Sequence, residues 1–460
     1  MANRVSRRQF LHRSAVVAAA VSASPAILRS ASPNEKLNIA CIGVGGRGGA
    51  HLGPASTENI VAICDVDLNT LEKVSQRFPS AKKYQDYRVL LDKQKDIDAV
   101  IVATPDHHHF SAAMRAITQG KHVYCEKPLT HTIWEARTLT AAARKYKVAT
   151  QMGNQGHSGE GYRTLCEYIQ SGAIGDVTEV HSWTNRPIWP QGLDRPTGED
   201  SVPANLDWDL WLGPAPVRPF KSQWPEDVKT KRRDVYHPFT WRGFWDFGTG
   251  ALGDMGCHIM DGACWALKLT NPTKVELIDS SPLKSDMAPS WSILRYHFPA
   301  RAGLPPCTLT WYDGGKLPQR PDELEPGRKL AEGDNGSLYI GSKGKMMSGT
   351  YGDGTMIFPE EKRKATPRPE KTIPRVEGKR VDGKVVVDGH HYDWIQACKG
   401  GKPSSANFDY AGPFTEIVLL GNLALRVGQT IEWDAANMRV TNIPEANQYV
   451  KTEYRKGWEI

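Results

Sequence analysis

Short apolar runs alternate with polar and amphipathic stretches along the first third of the chain. The runs that predict buried strands lie at residues 36–42, 60–64, 99–103, 122–125 and 148–152. Helical periodicity follows some of them, at residues 71–78 and 106–119. Strands that alternate with helices are typical of a parallel sheet with helices on both faces. The pattern therefore predicts an α/β domain over residues 35–152.

The pattern changes after residue 152. Strand-like runs recur at residues 177–183, 274–278, 292–298, 308–312, 337–341 and 430–434, and helices are predicted at residues 162–171, 258–269, 391–398 and 413–427. Polar, proline-rich stretches at residues 313–335 and 359–380 predict surface loops. We expect a second domain over residues 153–445 and a C-terminal tail over residues 446–460.

Residues 184–247 interrupt the second domain with a segment rich in proline, tryptophan and charge. The segment has little periodicity, so we predict a long insertion over the end of a sheet. Seven of the 14 tryptophans lie in or beside it, at positions 183, 189, 208, 211, 224, 241 and 245. Aromatic faces stack on sugar rings, which favours a carbohydrate cleft. The alternative is that the tryptophans hold together a loop without another core.

Composition excludes several classes of protein. The chain has 460 residues, of which 40% are hydrophobic, and this is too apolar for a disordered chain. No run of about 18 apolar residues occurs, which excludes a protein that crosses the membrane several times. The first 31 residues hold five arginines and no acid, so only +2 of the formal charge of +7 belongs to the rest. That charge is too small to suggest a nucleic-acid partner.

The first 31 residues have the order of a twin-arginine export signal. Paired arginines in the sequence SRRQFL at residues 6–11 precede an apolar stretch at residues 15–23 and then small residues suited to cleavage. The apolar stretch is shorter than the roughly 20 residues of a spanning helix. We expect export to the periplasm and no membrane span after cleavage. Retention by an uncleaved signal and a basic N-terminus without this role are the alternatives.

Eight cysteines add little to this picture. Disulfides would be possible after export. Cys41, Cys64 and Cys125 lie in or beside predicted core strands, however, where a free thiol behaves as a small apolar group. No C-x-x-C pair occurs, so a structural zinc site is not expected. We predict mostly reduced, buried thiols.

A glycine-rich turn ends the first predicted strand. Gly43, Gly45 and Gly48 form G-x-G-x-x-G, with Gly46 and Arg47 between them. The first glycine permits the tight turn, the second lets the backbone approach a pyrophosphate, and the third allows close packing of helix on strand. The N-terminus of the following helix would then bind the anion. The alternative is a glycine-rich turn without a ligand.

An acidic residue lies where a dinucleotide's ribose would be bound. Asp65 ends the second predicted strand, 17 residues beyond Gly48. A carboxylate there repels a 2′-phosphate, so NAD is favoured over NADP, although Arg47 would weaken that preference.

Two further strand ends carry polar residues. Thr104-Pro105 closes the third strand, and three consecutive histidines at positions 107–109 open the next helix. Neighbouring helical residues point in different directions, so this triplet is not expected to bind one metal ion. Glu126-Lys127-Pro128 ends the following strand.

Together these motifs resemble the glucose–fructose oxidoreductase and inositol dehydrogenase family, Gfo/Idh/MocA. The resemblance rests on residues 43–48, Thr104-Pro105 with His109, Glu126-Lys127-Pro128 and the sequence GDMGCHIMD at residues 253–261. It implies a Rossmann domain, a C-terminal α+β domain with a large open, mainly antiparallel sheet, and a sugar or polyol bound between sheet and nicotinamide. It also implies a homodimer or homotetramer. The implied NAD-binding residues are Gly43, Gly45, Gly46, Arg47, Gly48, Asp65, Thr104, Pro105, His109, Glu126 and Lys127.

Oxidation of an alcohol needs a base for the hydroxyl proton and a cation beside the developing alkoxide. Lys127 and His258 are the candidates for these roles. Asp254 lies four residues before His258, so on a helix it would share a face with the imidazole and orient it. The family resemblance assigns the same three residues to catalysis. Two alternatives are a metal site formed with Asp261 and a satisfied histidine at a helix start, and we expect no metal.

Candidate substrate-binding residues come from the start of the second domain and from the insertion. They are Gln155, His157, Asn185, Arg186, Trp189, His237 and Trp241.

An exported nicotinamide enzyme has no expected pool of free cofactor, so NAD is expected to be tightly bound. The leading hypothesis is an oxidoreductase that transfers hydride between a ring CH–OH of a sugar or glycoside and NAD. The alternative is an NAD-dependent glycoside hydrolase or epimerase that acts through transient oxidation. A sugar-binding protein with a structural dinucleotide is a third hypothesis, which intact Lys127, Asp254 and His258 argue against.

Overall fold

A computed structural model describes residues 35–330 and 334–460. The predicted export signal and three residues of the predicted loop 313–335 lie outside the described residues.

The N-terminal domain is built on a six-stranded parallel sheet. Its strands are β1 Asn38–Ile42, β2 Asn59–Cys64, β3 Lys82–Tyr84, β4 Ala99–Val102, β5 His122–Cys125 and β6 Thr150–Met152. They lie in the order β3-β2-β1-β4-β5-β6. Strand β1 pairs with β2 on one side and β4 on the other, so the direction of the chain reverses there and leaves a crevice at the carboxyl ends.

Five helices cover this sheet. They are α1 Gly46–Ala55, α2 Leu68–Ser75, α3 Tyr87–Lys93, α4 Asp106–Thr118 and α5 Ile133–Tyr146. Side chains stabilise several N-termini: Asp67 accepts from the Asn69 amide at α2, and Thr132 with Glu135 forms a capping box at α5. Strand β3 and helices α3 and α5 were not predicted from the sequence.

The second domain contains a nine-stranded sheet. Its strands are β7 Val177–Trp183, β8 Lys274–Ser280, β9 Ser292–Phe298, β10 Cys307–Tyr312, β11 Gly336–Gly341, β12 Gly344–Ser348, β13 Met356–Phe358, β16 Ile431–Asp434 and β17 Arg439–Val440. The order is β13-β12-β11-β7-β10-β9-β8-β16-β17, and only β7 and β10 pair in parallel. The predicted Rossmann domain and mainly antiparallel second sheet are confirmed. A separate hairpin joins β14 Lys379–Val381 and β15 Lys384–Val387.

Helices of the second domain pack on its sheet and on the first domain. They are α6 Glu160–Gln170, α7 Trp208–Leu212, α8 Gly250–Ile259, α9 Asp261–Ala266, α10 Glu360–Ala365, α11 Gly389–Cys398 and α12 Phe408–Val427. Short 3₁₀ helices occur at Gln155–Ser158, Thr240–Gly243 and Pro444–Tyr449. Within the described residues, no helix is both long and apolar enough to cross a membrane.

The helix predicted over residues 258–269 is confirmed only in part, over Asp261–Ala266. Helix α8 begins at Gly250, eight residues before His258, and α9 is a separate helix after Met260. The start of α8 was not predicted because glycine, at positions 250, 253 and 256, is a poor helix former. A close contact explains why position 253 is glycine: a Cβ there would lie 1.8 Å from the Thr249 hydroxyl oxygen.

The insertion 184–247 has an aromatic core of its own. Trp211, Trp224, Trp241, Phe244 and Phe247 are buried together there. The eight cysteines are all buried and unpaired. Residues 446–460 also pack against the first domain, where Trp458 is only 6% exposed.

Candidate active site

A large cleft lies between the two domains and encloses about 1090 Å³. The ends of β1, β2, β4 and β5 form one wall, and residues of the insertion and of α8 form the other. The crevice predicted at the carboxyl edge of the parallel sheet is therefore covered by the second domain.

Two glycines of the turn, Gly43 and Gly48, are packed too closely for a side chain. Gly43 has φ +76°, and a Cβ there would lie 2.7 Å from the Ala103 carbonyl oxygen. A Cβ at Gly48 would lie 1.8 Å from the Gly43 carbonyl oxygen. Gly46, at the start of α1, faces open space, and no side chain caps this helix. The first amides of α1 are thus accessible to a phosphate, and the turn fits a dinucleotide.

Asp65 shapes this turn. Its Oδ2 accepts hydrogen bonds from the amides of Val44 and Gly45 at 3.0 and 3.2 Å, and Oδ1 accepts from the Asp67 amide at 3.1 Å. Burial raises the pKa of the carboxyl, against these hydrogen bonds. A carboxylate oxygen accepts more than one hydrogen bond, so a ribose hydroxyl would share the carboxylate with the backbone.

Asp67 also lines the cleft, and sequence reasoning missed it. Its carboxylate accepts from Asn205 Nδ2 at 2.7 Å and lies 3.3 Å from His237 Nε2. His237, a predicted substrate ligand, therefore contacts the first domain as well as lining the cleft. The signal available in the sequence was a second acid two residues after Asp65.

Only some of the cofactor-binding residues predicted after β4 reach the cleft. Thr104 and Pro105 line the cleft, whereas His109 lies behind them. The ring nitrogens of His109 are 2.9 Å from the Thr104 carbonyl oxygen and 2.7 Å from that of Pro128. His109 therefore links the loops that follow β4 and β5.

Both other histidines of the triplet support the insertion. Ring nitrogens of His107 and His108 lie 3.1 and 2.9 Å from the Trp211 carbonyl oxygen. Burial lowers the pKa of both, to about 4 for His108.

Glu126 is a buried carboxylate at the cleft wall. Its Oε1 lies 3.0 Å from Arg47 Nε, from His51 Nε2 and from Gln155 Nε2. Burial would raise the pKa of this carboxyl, but His51, Arg47 and Lys127 hold it well below its usual range. Glu126 thus joins two predicted site residues, Arg47 and Gln155, to His51, which the sequence did not indicate.

Lys127 and Asp254 form an ion pair in the cleft. Lys127 Nζ donates to Asp254 Oδ1 at 2.7 Å and to the Asp254 backbone oxygen at 2.6 Å. Arg242 Nε lies 3.6 Å from the same Oδ1. Burial opposes ionisation of Asp254, but Lys127 and Arg242 outweigh it and lower the pKa to about 2. Two of the three N–H groups of Lys127 are engaged, which leaves one for a substrate oxygen.

His258 lines the same cleft but does not pair with Asp254. Its Nδ1 has no hydrogen-bond partner among the described residues, and its ring meets the edge of Tyr351 at a centroid distance of 5.5 Å. The expected Asp254–His258 hydrogen bond is absent among the described residues, where Lys127 is the hydrogen-bond donor to the Asp254 carboxylate. Burial and the nearby Lys127 charge lower the pKa of His258 to about 4. The imidazole is therefore neutral at pH 7 and able to accept a proton.

Asp261 and His157 lie outside the cleft. The break after α8 directs Asp261 toward His157, whose Nδ1 is 3.0 Å from Asp261 Oδ1, and toward Asn154 at 3.0 Å. His157 is 2% exposed and stacks on Trp265 at 4.2 Å, so this predicted substrate ligand does not reach the cleft. In the described ranges, no group of three or more His, Cys, Asp or Glu side chains is arranged to hold a metal ion.

The other predicted substrate ligands are mostly at the cleft. Gln155, Arg186, Trp189, His237 and Trp241 line it. Asn185 does not, and its Oδ1 instead accepts from Arg186 at 2.8 Å. Trp211, another of the insertion's tryptophans, lines it too. Sequence reasoning missed further lining residues because they carry no motif: Phe239, Arg242, Tyr351 and Trp458.

The Rossmann domain, the mixed sheet and the cleft between them define a dinucleotide-binding oxidoreductase. Residues 37–154 match the family described as "Oxidoreductase family, NAD-binding Rossmann fold", and residues 176–348 match its "C-terminal alpha/beta domain". The chain belongs to this Gfo/Idh/MocA oxidoreductase family.

Similar proteins include dehydrogenases. Inositol 2-dehydrogenase of Salmonella paratyphi B is 31% identical over 32% of this chain and 45% of its own length. The chain thus spans about half the length of the curated relatives that it matches.

Solved structures share the fold over more of the chain. The WlbA dehydrogenase from Bordetella pertussis, in complex with NADH and UDP-GlcNAcA, has a TM-score of 0.59 at 16% identity and covers 87% of this chain and 99% of its own. The aldose-aldose oxidoreductase from Caulobacter crescentus, complexed with glycerol, has a TM-score of 0.52 at 17% identity and covers 87% of this chain and 100% of its own.

Proposed function

We propose that the protein is an NAD-dependent dehydrogenase that oxidises a secondary alcohol on the ring of a sugar or glycoside. The observation that carries this proposal is the meeting of Lys127, Asp254 and a neutral His258 in the cleft that the glycine turn also lines. Inositol 2-dehydrogenase among the relatives, and sugar-related ligands in the structural neighbours, support the substrate class.

Each of the three residues has a chemical role in this proposal. NAD, when bound, supplies the acceptor for the hydride. The free N–H of Lys127 donates to the alcohol oxygen and stabilises the negative charge that develops there. His258 accepts the hydroxyl proton because its imidazole is unprotonated at neutral pH. Asp254 positions the ammonium by accepting its hydrogen bonds.

We also propose NAD rather than NADP as the cofactor. Asp65 and Asp67 both lie at the end of β2, where a 2′-phosphate would meet two carboxylates. The Kd values of the two cofactors for the purified protein test this choice, and tighter binding of NADP would refute it.

Export and assembly are further parts of the proposal. The SRRQFL sequence at residues 6–11 supports the twin-arginine route, and a cofactor that must last outside the cytoplasm has to be tightly held. We propose that the exposed face of the nine-stranded sheet joins copies into a homodimer or homotetramer. Fractionation of cells and light scattering of the purified protein test these two points.

Catalysis is tested with Lys127→Met and His258→Gln, which keep the length or polarity of each side chain. We expect each variant to lose at least 100-fold in kcat with a panel of sugars and an external electron acceptor, while bound NAD stays detectable by absorbance. Lys73→Met, at an exposed position on α2, is the matched control and should be fully active.

Three results would contradict the proposal. One is full activity in either site variant, and another is the absence of turnover with every sugar offered. The third is release of an aglycone from glycosides without any acceptor, which would identify a glycosidase instead.

A further inference from the structure

Charge is distributed unevenly within the insertion. Residues 184–247 contain nine acidic side chains and nine lysines or arginines, so the segment is neutral overall. Three of its arginines line the cleft, Arg186, Arg232 and Arg242, whereas none of its acids does, and the structure describes this segment completely. The cleft face of the insertion is therefore cationic.

Several acids of the insertion bind other groups away from the cleft. Asp246 binds both Arg195 and Arg218 at 2.7 Å, and Asp200 binds Lys221 at 2.8 Å. Asp207 is used at the N-terminus of α7, where it accepts from the Leu210 amide.

The three cleft arginines have few partners of their own. In the described part of the chain, neither Arg186 nor Arg232 has a carboxylate oxygen within 4.0 Å. Arg242 comes within 3.6 Å of Asp254, a carboxylate already bound by Lys127. Guanidinium donors that meet no carboxylate of the protein are available to an anion from outside.

Aromatic rings hold two of these guanidinium groups in place. The Arg232 Cζ atom lies 4.0 Å from the centroid of the Phe239 ring, and the Arg242 Cζ atom lies 4.2 Å from the same centroid. Arg242 also lies 4.3 Å from the Trp241 ring centroid. Stacked guanidinium groups lose less freedom on binding and present their planar donors to carboxylate or phosphate oxygens.

Arg242 connects this cationic face to the reaction centre. It approaches the Asp254 carboxylate oxygen that Lys127 binds, so an anion bound by Arg242 would lie next to the alcohol presented to Lys127 and His258. A carboxylate or phosphate forms paired, charge-assisted hydrogen bonds with guanidinium groups, and these are stronger than the hydrogen bonds of a neutral hydroxyl group. Three guanidinium groups in the cleft therefore favour an anionic ligand over a neutral one.

We propose that the substrate is an anionic sugar whose carboxylate or phosphate group binds to Arg186, Arg232 and Arg242. This inference rests on the proposed function for the presence of a sugar at the cleft, and it adds the charge of that sugar.

The first experiment measures binding to the NAD-loaded protein by calorimetry, so its outcome does not depend on turnover. Glucuronate and glucose 6-phosphate are compared with glucose. We expect at least one anion to bind at least tenfold more tightly than glucose, with affinity that falls as salt rises. Comparison of the Kd values for glucuronate and glucose 6-phosphate shows whether the site prefers a carboxylate or a phosphate. Equal or tighter binding of glucose overturns the inference, whereas binding of an anion without turnover contradicts only the proposed function.

The second experiment uses Arg186→Gln and Arg232→Gln, with Lys231→Gln as the matched control at the exposed neighbouring position. We expect each arginine variant to weaken binding of the preferred anion at least tenfold and the Kd for NAD to change less than twofold. The control should bind the anion normally. If both arginine variants weaken NAD instead, the arginines serve the cofactor's phosphates and the inference fails.

Discussion

At the scale of single residues, the site depends on whether Lys127 or His258 forms the hydrogen bond with the Asp254 carboxylate. Spacing of four residues places Asp254 and His258 on one face of α8, as the sequence indicated. Spacing could not show that Lys127, far away in the chain, takes the Asp254 oxygen at 2.7 Å. Lys127 binds that oxygen by a charge-assisted hydrogen bond, and His258 has no carboxylate partner among the described residues.

This arrangement predicts an acid limb in the pH profile of kcat/KM. His258 must be unprotonated to accept a proton, and its pKa is lowered to about 4 by burial and by Lys127. We expect kcat/KM to fall about tenfold per pH unit below pH 4 and to show no inflection between pH 5 and 8 from this group.

The control for that profile is the residual activity of His258→Gln, which should lack the acid limb. An inflection near pH 6.5 that disappears in this variant would show that His258 titrates as an ordinary imidazole, and the assignment of a neutral base held by burial would be wrong.

At the scale of elements, the hydrophobic periodicity of the sequence predicted most strands. It did not predict elements that depend on tertiary contacts. Strands β7 and β9 lie at the residues predicted, and β9 alternates between buried and half-buried positions along its whole length. The three-residue strand β3 has no apolar run of its own, and its residues are half-buried or exposed. Helix α8 has several glycines that local propensity counts against, so tertiary packing overrides the pattern there.

The junction of β1 and α1 predicts a difference between two glycine-to-alanine variants of one helix. A Cβ at Gly48 would lie 1.8 Å from the Gly43 oxygen, whereas one at Gly53 meets nothing within 4 Å. We expect Gly48→Ala to push α1 from β1, to lower stability by about 1–3 kcal/mol and to weaken NAD binding at least tenfold.

Gly53→Ala should leave NAD binding unchanged and raise stability slightly, because alanine is the better helix former. Thermal unfolding and NAD titration of both variants measure these effects. Unchanged NAD affinity in Gly48→Ala would show that the close contact is not needed for the cofactor site.

At the scale of the whole molecule, distant segments complete the cleft. Trp458 near the C-terminus lines it and stacks on Arg88 at 3.8 Å. His391 of α11 lies 2.8 Å from His51 of α1, behind Glu126. Sequence motifs identified the residues at the ends of the parallel strands, because the fold always brings those ends together. Contacts between residues hundreds of positions apart depend on domain packing and left no local pattern.

The insertion also closes the cleft at the end of β2. The Leu68 amide donates to the backbone carbonyl oxygen of Asn205 at 2.8 Å, and the Asp207 amide donates to the backbone carbonyl oxygen of Val66 at 3.1 Å. Asn205 and His237 reach the Asp67 carboxylate at 2.7 and 3.3 Å. We infer that these contacts help to retain a dinucleotide bound along the cleft.

We therefore predict that Asn205→Ala combined with His237→Ala increases the rate of NAD dissociation at least tenfold, because both side-chain contacts of the insertion with the Asp67 carboxylate are removed. Stopped-flow displacement of NAD measures this rate. His297→Ala is the control, since His297 forms a similar contact of 2.9 Å with Glu276 on the nine-stranded sheet, away from the cleft. Dissociation as slow in the double variant as in the control would mean that the glycine turn and the cleft walls alone retain the cofactor.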